Sequence, residues 1–111
     1  MGVDNTIADR YLRFMHFRDA IIPNNIDHHE WSLLEYIYRE QSLLNRVRVS
    51  DVMLLSHIAS TSTLHTKLMM LKRDGYVQIQ TAKYDVRVKL ISLTEESLAI
   101  FSTLNRCMGN F

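Results

Sequence analysis

The sequence contains few of the residues that cross-link or bend a chain: one cysteine, one proline and three glycines among 111 residues. Because Cys107 stands alone, no disulfide can form within the chain, which favours a reducing compartment. Apolar runs extend over only a few residues, whereas a membrane helix needs roughly 20. Charged residues interrupt the N-terminal segment, so no secretion signal is expected. These absences predict a cytoplasmic protein that does not enter a membrane.

The sequence also lacks the residue sets that carry catalysis or hold a metal. It contains no Gly-rich phosphate loop, no nucleophile with a partner base and no paired carboxylates at catalytic spacing. His28 and His29 are adjacent, but neighbouring side chains on a helix point about 100° apart, and no further His or Cys lies at ligand spacing. We therefore expect no enzyme activity, no metal site and no cofactor.

Positive charge is concentrated in one third of the chain, although the formal net charge of the whole is only +1. Residues 1–59 carry a net −2 and residues 95–111 a net −1, whereas residues 60–94 have six basic and two acidic side chains, a net +4. This asymmetry favours contact with a polyanion. A basic face that is merely solvated explains the same numbers, so charge alone leaves both interpretations open.

Length and apolar content, 47% of the residues, predict one domain over residues 1–111. Apolar residues at helical spacing predict a first helix over residues 5–22, and Asp27 with Glu30 forms a capping-box pair that begins a second. The run "RVRV" predicts a short strand at 46–49, followed by a short third helix over "DVMLLSHIA", residues 51–59, with Ser50 as its N-cap.

The second half of the chain has a clearer pattern. A cluster of hydroxyls caps a fourth helix, residues 61–74, and Gly75 stands where a left-handed residue ends a helix. Alternating segments within residues 76–93 predict a β-hairpin. Thr94 caps a last helix, residues 95–108. This order of elements predicts a winged helix-turn-helix, a mainly α fold with a small β-hairpin wing (α+β).

In that fold the helix 61–74 enters the major groove of DNA and the wing 76–93 lies on the minor groove or the backbone. Val86, Val88 and Leu90 are expected to face the core, which leaves Arg87 and Lys89 toward nucleic acid. Asp85 has two interpretations. It can pair with Arg87 and orient the guanidinium, or it can be an ordinary turn residue.

The predicted contacts fall into three groups. The recognition helix contributes the polar and methionine side chains Ser62, Thr63, His65, Thr66, Lys67, Met70 and Arg73. The wing contributes Lys83, Tyr84, Asp85, Arg87 and Lys89. Dimerisation is assigned to the terminal helices through Ile7, Tyr11, Phe14, Leu98, Phe101 and Leu104, because the first helix is more apolar than one core face requires.

The segment Asp85-x-Arg87-x-x-x-x-x-Leu93-Thr94 resembles the "DxRxxxxxLT" wing signature of the MarR (multiple antibiotic resistance regulator) family. "STLHTKLMMLKRDGYV", residues 62–77, is similar to that family's recognition helix, and "HEWSLLEYI", residues 29–37, to its second helix. The resemblance covers about residues 27–96. It implies a dimeric prokaryotic transcription regulator, usually a repressor that binds double-stranded DNA. It further implies that Arg87 reaches the minor groove, that Asp85 positions it, and that a small-molecule effector or cysteine oxidation releases the DNA.

Two features depart from that family. Thr66 and Met70 stand where members often have arginines, and the chain ends sooner after its last helix than members do. A second hypothesis therefore stays beside the first: a winged-helix module that binds another protein and no longer reads DNA.

Overall fold

A computed structural model describes the backbone of residues 5–108 and the side chains of residues 9–108. This part of the chain forms five helices and three strands: α1 Asn5–Ile21, α2 His28–Ser42, β1 Val47–Arg48, α3 Val49–Val52, α4 Thr61–Arg73, β2 Val77–Ala82, β3 Asp85–Leu93 and α5 Glu95–Cys107. The strands make one antiparallel sheet in the order β1-β3-β2. The prediction of a mainly α winged helix-turn-helix is confirmed.

The helix ends follow from local sequence, as predicted. The Asp27 carboxylate accepts from the Glu30 N–H at 2.8 Å, and the Glu30 carboxylate accepts from the Asp27 N–H at 3.3 Å, which completes the capping box of α2. Ser60 and Thr94 each accept a backbone N–H one turn into α4 and α5, both at 3.4 Å. Gly75 has φ +83°, a conformation that a side chain would strain, and so ends α4.

The third helix differs from the prediction at both ends. Its N-cap is Arg48, not Ser50, and the Arg48 N–H donates to the Asp51 carboxylate at 3.0 Å. The helix ends at Val52 and continues as tighter turns with i→i−3 backbone bonds. Leu55 is buried while Leu54 is exposed. The α-helix therefore ends at Val52, because several of the backbone hydrogen bonds that follow span three residues instead of four.

The core lies between α2, α4, the base of the sheet and α5. Its fully buried side chains come mostly from α2 and α4, and strands β1, β2 and β3 cover one side. The buried residues of these elements are Leu33, Leu34, Ile37, Val47, Leu64, Leu68, Leu71, Val77, Ile91, Leu93, Ile100 and Phe101. The leucine side of α4 is thus fixed against the protein, which leaves its opposite side to solvent.

The prediction for the buried face of the wing is wrong. Val86 is 78% exposed, and Val88 and Leu90 are only partly buried, whereas Ile91 and Leu93 are buried. Up to Leu90 the apolar residues of β3 have even numbers, and from Ile91 onward they have odd numbers. Ile91 and Leu93 lie in the same core cluster as the buried residues of α2, which packs against β3. Because successive side chains of a strand point to opposite faces, only one of these two patterns can reach the core.

The tip of the wing is bent by an irregularity in strand pairing. Thr81 is opposite Lys89, but the next residue, Ala82, is opposite Asp85, so three residues of β3, 86–88, have no partner on β2. Extra residues on one strand of a pair bend it and increase its twist. The tip therefore departs from the straight hairpin that sequence alternation predicts.

Helix α1 makes its main contact with α5 and is otherwise the least embedded helix. Tyr11 is 62% exposed and Leu12 is also exposed, whereas Ile21 and Ile22 at the end of α1 pack against the core. The molecule is elongated, with principal extents of 59 × 28 × 25 Å. Within the described residues no helix is both long and apolar enough to cross a bilayer.

Candidate nucleic-acid interface

The solvent side of α4 carries several of the predicted DNA contacts. Ser62, His65 and Thr66 are exposed there, while Thr63 and Met70 are partly buried at the edges of that side. The Thr66 hydroxyl donates to the Ser62 carbonyl at 3.0 Å. A hydroxyl that donates to its own helix keeps its acceptor lone pairs, so Thr66 can still accept from a base amino group.

The cations of α4 are less free than the sequence indicates. Lys67 donates to the Asp27 carboxylate, and its side chain is only 22% exposed. Arg73 donates to Asp74 at 3.0 and 3.4 Å, although its side chain remains largely exposed. The structure thus places Lys67 against the start of α2, away from the solvent side of the recognition helix.

The Lys67–Asp27 pair joins α4 to the N-cap of α2. Burial raises the pKa of Asp27, but hydrogen bonds from Lys67 and the Glu30 N–H outweigh it and hold that pKa below its ordinary value of 3.8. Glu30 behaves in the opposite way, since burial raises its pKa above the ordinary 4.5. Asp27 is therefore the charged partner of Lys67 at neutral pH.

Replacing Asp27 with alanine is expected to lower the free energy of unfolding by about 1–2 kcal/mol, because α2 loses its N-cap. Since the folded pKa of Asp27 lies below the unfolded value, its carboxylate stabilises the fold above about pH 4, and this contribution is lost as pH falls through the folded pKa. The measurement is urea denaturation of wild type and variant at neutral pH and below pH 3.8.

The matched control is Asp19→Ala, because Asp19 is an exposed aspartate whose ion pair among the described residues is with the adjacent Arg18 at 3.5 Å. Its removal is expected to change the free energy of unfolding by less than about 0.5 kcal/mol. An equal loss in both variants, or an Asp27→Ala loss that does not diminish in acid, would contradict the assigned role of Asp27.

At the wing tip the predicted Asp85–Arg87 pair is present. The Asp85 carboxylate accepts from the Arg87 Nε at 3.1 Å, from its terminal nitrogen at 3.1 Å and from its backbone N–H at 2.9 Å. The Arg87 side chain hydrogen bond holds the pKa of Asp85 below its ordinary range. Two parallel bonds fix the plane of a guanidinium, so Arg87 is held in one orientation although it is highly exposed.

The other predicted wing residues surround this pair. Lys89 donates to the Thr81 hydroxyl at 2.7 Å across the strands. Lys83 and Tyr84 form the exposed turn between β2 and β3. The structure therefore brings the predicted wing residues together on one surface, with a single carboxylate among them, Asp85.

Sequence reasoning missed two arginines that belong to this surface. The Arg46 guanidinium carbon lies 6.0 Å from the centre of the Tyr84 ring, within the range of a cation–π contact. The charge of Arg48 contributes to lowering the pKa of Asp85. Arg48 is the last residue of β1 and Arg46 directly precedes that strand, so both lie before the segment of net +4. The "RVRV" run could have indicated these two arginines, because the strand that it forms pairs with β3 of the wing.

The predicted dimerisation residues fall into different environments. Tyr11 is exposed, Leu98 is 41% exposed, and Phe14 and Leu104 are partly buried. The side chain of Ile7 lies outside the described residues. Phe101 differs from the prediction: it is 6% exposed and belongs to the core of the protomer, so it cannot form a surface that a second chain covers.

A cavity of about 750 Å³ opens between α1, α2 and α5. Its walls are mainly aromatic and basic, with one carboxylate, Glu35. The lining residues are Phe14, Arg18, His28, His29, Ser32, Glu35, Tyr36, Tyr38, Arg39, His57, Ile58, Phe101 and Leu104. A volume of this size is typical of small-molecule sites. Across residues 5–108, no three His, Cys, Asp or Glu side chains converge as metal ligands would.

The fold, the exposed side of α4 and the cationic wing define a winged helix-turn-helix protein with a nucleic-acid-binding type of surface. Neither a protein-family model nor a curated protein sequence matches the chain.

Solved structures do match it, and they are regulators of the MarR family. A MepR mutant from a multidrug-resistant Staphylococcus aureus clinical isolate is 17% identical with a TM-score of 0.71, covering 99% of this chain and 79% of MepR. The transcriptional regulator Tm0710 from Thermotoga maritima is 20% identical with a TM-score of 0.68, covering 96% of this chain and 75% of Tm0710.

The heme sensor PefR from Streptococcus agalactiae, in complex with heme, is 18% identical with a TM-score of 0.58, covering 92% of this chain and 67% of PefR. The resemblance read from the wing and helix motifs is thus confirmed at the level of the fold.

Proposed function

We propose that this chain is a sequence-specific, double-stranded-DNA-binding transcriptional regulator that acts as a repressor in the cytoplasm of a prokaryote and has no enzymatic activity. The observation that carries the proposal is the Arg87 guanidinium, which donates two hydrogen bonds to the Asp85 carboxylate at an exposed wing tip. An orientated guanidinium is suited to a narrow minor groove, where the negative potential is enhanced. MepR, which has the same fold, has been solved in complex with DNA.

In this proposal α4 lies in the major groove and the wing follows the adjacent backbone. Ser62, His65 and Thr66 face the bases, and Met70 packs beside a thymine methyl at the edge of the contact. Lys83, Tyr84 and Lys89 contact the backbone near Arg87. Thr63 supports the start of the helix, while Lys67 and Arg73 contribute charge from positions already paired within the protein.

The functional unit in this proposal is a homodimer. Tyr11 on α1 and Leu98 on α5 are exposed side chains on two helices that pack together, and the partly buried Phe14 and Leu104 lie on the same two helices. A two-fold axis through this region would present two recognition helices to half-sites about one DNA turn apart. Ile7 continues the same helix toward its start.

A small-molecule effector fits the cavity between α1, α2 and α5. Its aromatic walls suit a planar apolar ligand, and Arg18 and Arg39 suit an acidic group on it. Two proteins with this fold have been solved with planar ligands, MepR with ethidium bromide and PefR with heme. Because α1 and α5 are also the proposed dimer helices, a ligand between them can alter the spacing of the two recognition helices.

The second candidate function, a protein-binding winged-helix module, is favoured by one observation. Lys67 and Arg73, two of the cations of α4, are paired with carboxylates of the same chain. A helix with few free cations gains less from a phosphate backbone. Such a module would form a specific protein complex that is unaffected by changes at Lys83 or Arg87.

In vitro selection of duplex DNA by the full chain separates these candidates. The regulator is expected to enrich a palindrome with half-sites about 10 base pairs apart, and its affinity should fall linearly on a log–log plot against salt. Salt-dependent binding without a palindrome would contradict sequence reading by a dimer. No salt-dependent binding to any duplex would remove the DNA-binding proposal and leave the protein-binding module.

A further inference from the structure

A second basic feature lies between the wing and β1. A cleft of about 320 Å³ is lined by Arg48, Val49, Ser50, Arg87, Val88 and Lys89. Three of these six residues are cations, and Ser50 adds a hydroxyl donor. Its lining contains no acidic residue. A cleft of this composition favours a ligand that is anionic and accepts hydrogen bonds.

The charges of the cleft are only partly neutralised. Asp85 is already bonded to Arg87, and among the described residues no carboxylate forms an ion pair with Arg48 or Lys89. Asp51 accepts only the backbone N–H of Arg48. The Lys89 ammonium donates one hydrogen bond to the Thr81 hydroxyl on β2 and keeps its charge and its remaining donors. Like charges that share a site destabilise one another, so an anion in the cleft would be stabilised by the charges of both Arg48 and Lys89.

The wing borders the cleft through Arg87, Val88 and Lys89. The three unpaired residues of β3, 86–88, turn the tip away from a straight hairpin. Arg46 contacts the Tyr84 ring with a guanidinium-to-centroid distance of 6.0 Å, which holds the tip to the β1 side of the sheet. Arg46 is therefore placed to hold the turn of the wing, through Tyr84, near the strand that carries Arg48.

We propose that this cleft binds one phosphate of the DNA backbone, with Arg48 and Lys89 as its cationic ligands and Ser50 as a hydroxyl donor. The proposal rests on the DNA-binding function above and extends it. Arg87 is not a phosphate ligand in this proposal, because its bonds to Asp85 orient the guanidinium toward the minor groove. Arg46 acts as a positioning residue, through Tyr84. The duplex would thus contact the β1 edge of the sheet in addition to α4 and the wing.

The test measures the affinity of Arg48→Gln for the selected duplex and for a scrambled duplex over a series of salt concentrations. Loss of one phosphate contact is expected to weaken both by a similar factor, about three- to tenfold, and to flatten the salt slope by about 0.9. Arg46→Gln is expected to weaken both duplexes with a smaller change in slope. Arg106→Gln on α5 is the matched control, because Arg106 is an exposed arginine outside the sheet, and should bind like wild type.

A duplex with neutral methylphosphonates placed one at a time locates the contact. At one position the substitution should weaken wild type but not Arg48→Gln. Unchanged thermal melting shows that the variant is folded. If Arg87→Ala weakens binding while Arg48→Gln does not, the phosphate site is wrong and the regulator proposal stands. If Arg48→Gln affects only the selected duplex without changing the salt slope, the phosphate role is also wrong. If wild type binds no duplex, both proposals fail.

Discussion

Replacing Arg87 with alanine is expected to weaken binding to the selected duplex about 5- to 150-fold, corresponding to roughly 1–3 kcal/mol. The loss is large because Asp85 pre-orients the guanidinium, so little conformational entropy is lost when it enters a groove. The fold should be unaffected within about 0.5 kcal/mol, since the side chain is 87% exposed. Fluorescence anisotropy with a labelled duplex measures the first quantity and urea denaturation the second.

Asp85→Asn separates orientation from charge. The amide oxygen can still accept a hydrogen bond, but the charge-assisted pair is lost, and the wing gains one unit of net positive charge. If orientation matters, affinity falls despite that gain. If Asp85 is only a turn residue, affinity rises, because an acidic group near phosphate has been neutralised. An Arg87→Ala variant that binds like wild type would remove the central observation behind the DNA-binding proposal.

Replacing Phe101 with alanine is expected to lower the free energy of unfolding by about 3–5 kcal/mol. The ring is stacked on Tyr38, with centroids 4.1 Å apart and planes 5° apart, and on Trp31 at 5.0 Å and 18°. Because Phe101 also lines the cavity between α1, α2 and α5, truncation removes both stacking contacts and enlarges that cavity. Denaturation in urea measures the loss, with the midpoint followed by tryptophan fluorescence of Trp31.

Leu98→Ala is the control on the same helix. Leu98 is 41% exposed, so its truncation should cost the protomer little, but it should weaken the dimer if α5 contributes to the interface. Denaturation at several protein concentrations and the solution mass distinguish the two effects. A Phe101→Ala variant that unfolds like wild type while its mass falls by half would show that Phe101 serves the interface and not the core.

The link between α2 and α4 has a bearing on regulation. Asp27 caps α2 and also pairs with Lys67 on the recognition helix, and α2 forms one wall of the large cavity. A movement of the start of α2 would therefore displace the Asp27 carboxylate and, through its ion pair with Lys67, act on α4. This connection would act as a switch only if α2 had two alternative positions. The Asp27→Ala variant measures how much the connection contributes to stability.

The features that the sequence predicted well are local. Asp27 with Glu30, Ser60, Thr94 and Gly75 sit within four residues of the groups that they cap, so spacing alone encodes their bonds. The same holds for Asp85 and Arg87, which are two residues apart. The earlier start of α3 escaped prediction because the Asp51 carboxylate accepts the Arg48 N–H from inside the helix, a pattern that Ser50 obscures.

The features that the sequence left open depend on contacts between distant segments. From the sequence, Lys67 is predicted to be a free cation, whereas in the structure it pairs with Asp27, 40 residues earlier. Arg46 and Arg48 lie in the segment 1–59, which has a net negative charge, and only the pairing of β1 with β3 brings them to the basic wing. Phe101 reads as a surface residue of an amphipathic helix until Trp31 and Tyr38 stack on it.

By itself, the sequence determined the order of the elements, the caps of α2, α4 and α5, and the orientated arginine of the wing, because short-range hydrogen bonds depend only on residue type and spacing. Tertiary structure decided which face of β3 is buried, how the bent tip meets β1, and which cations remain free. Those outcomes follow from packing and pairing between elements far apart in the chain, where each strand has two candidate faces and each long cation several candidate partners.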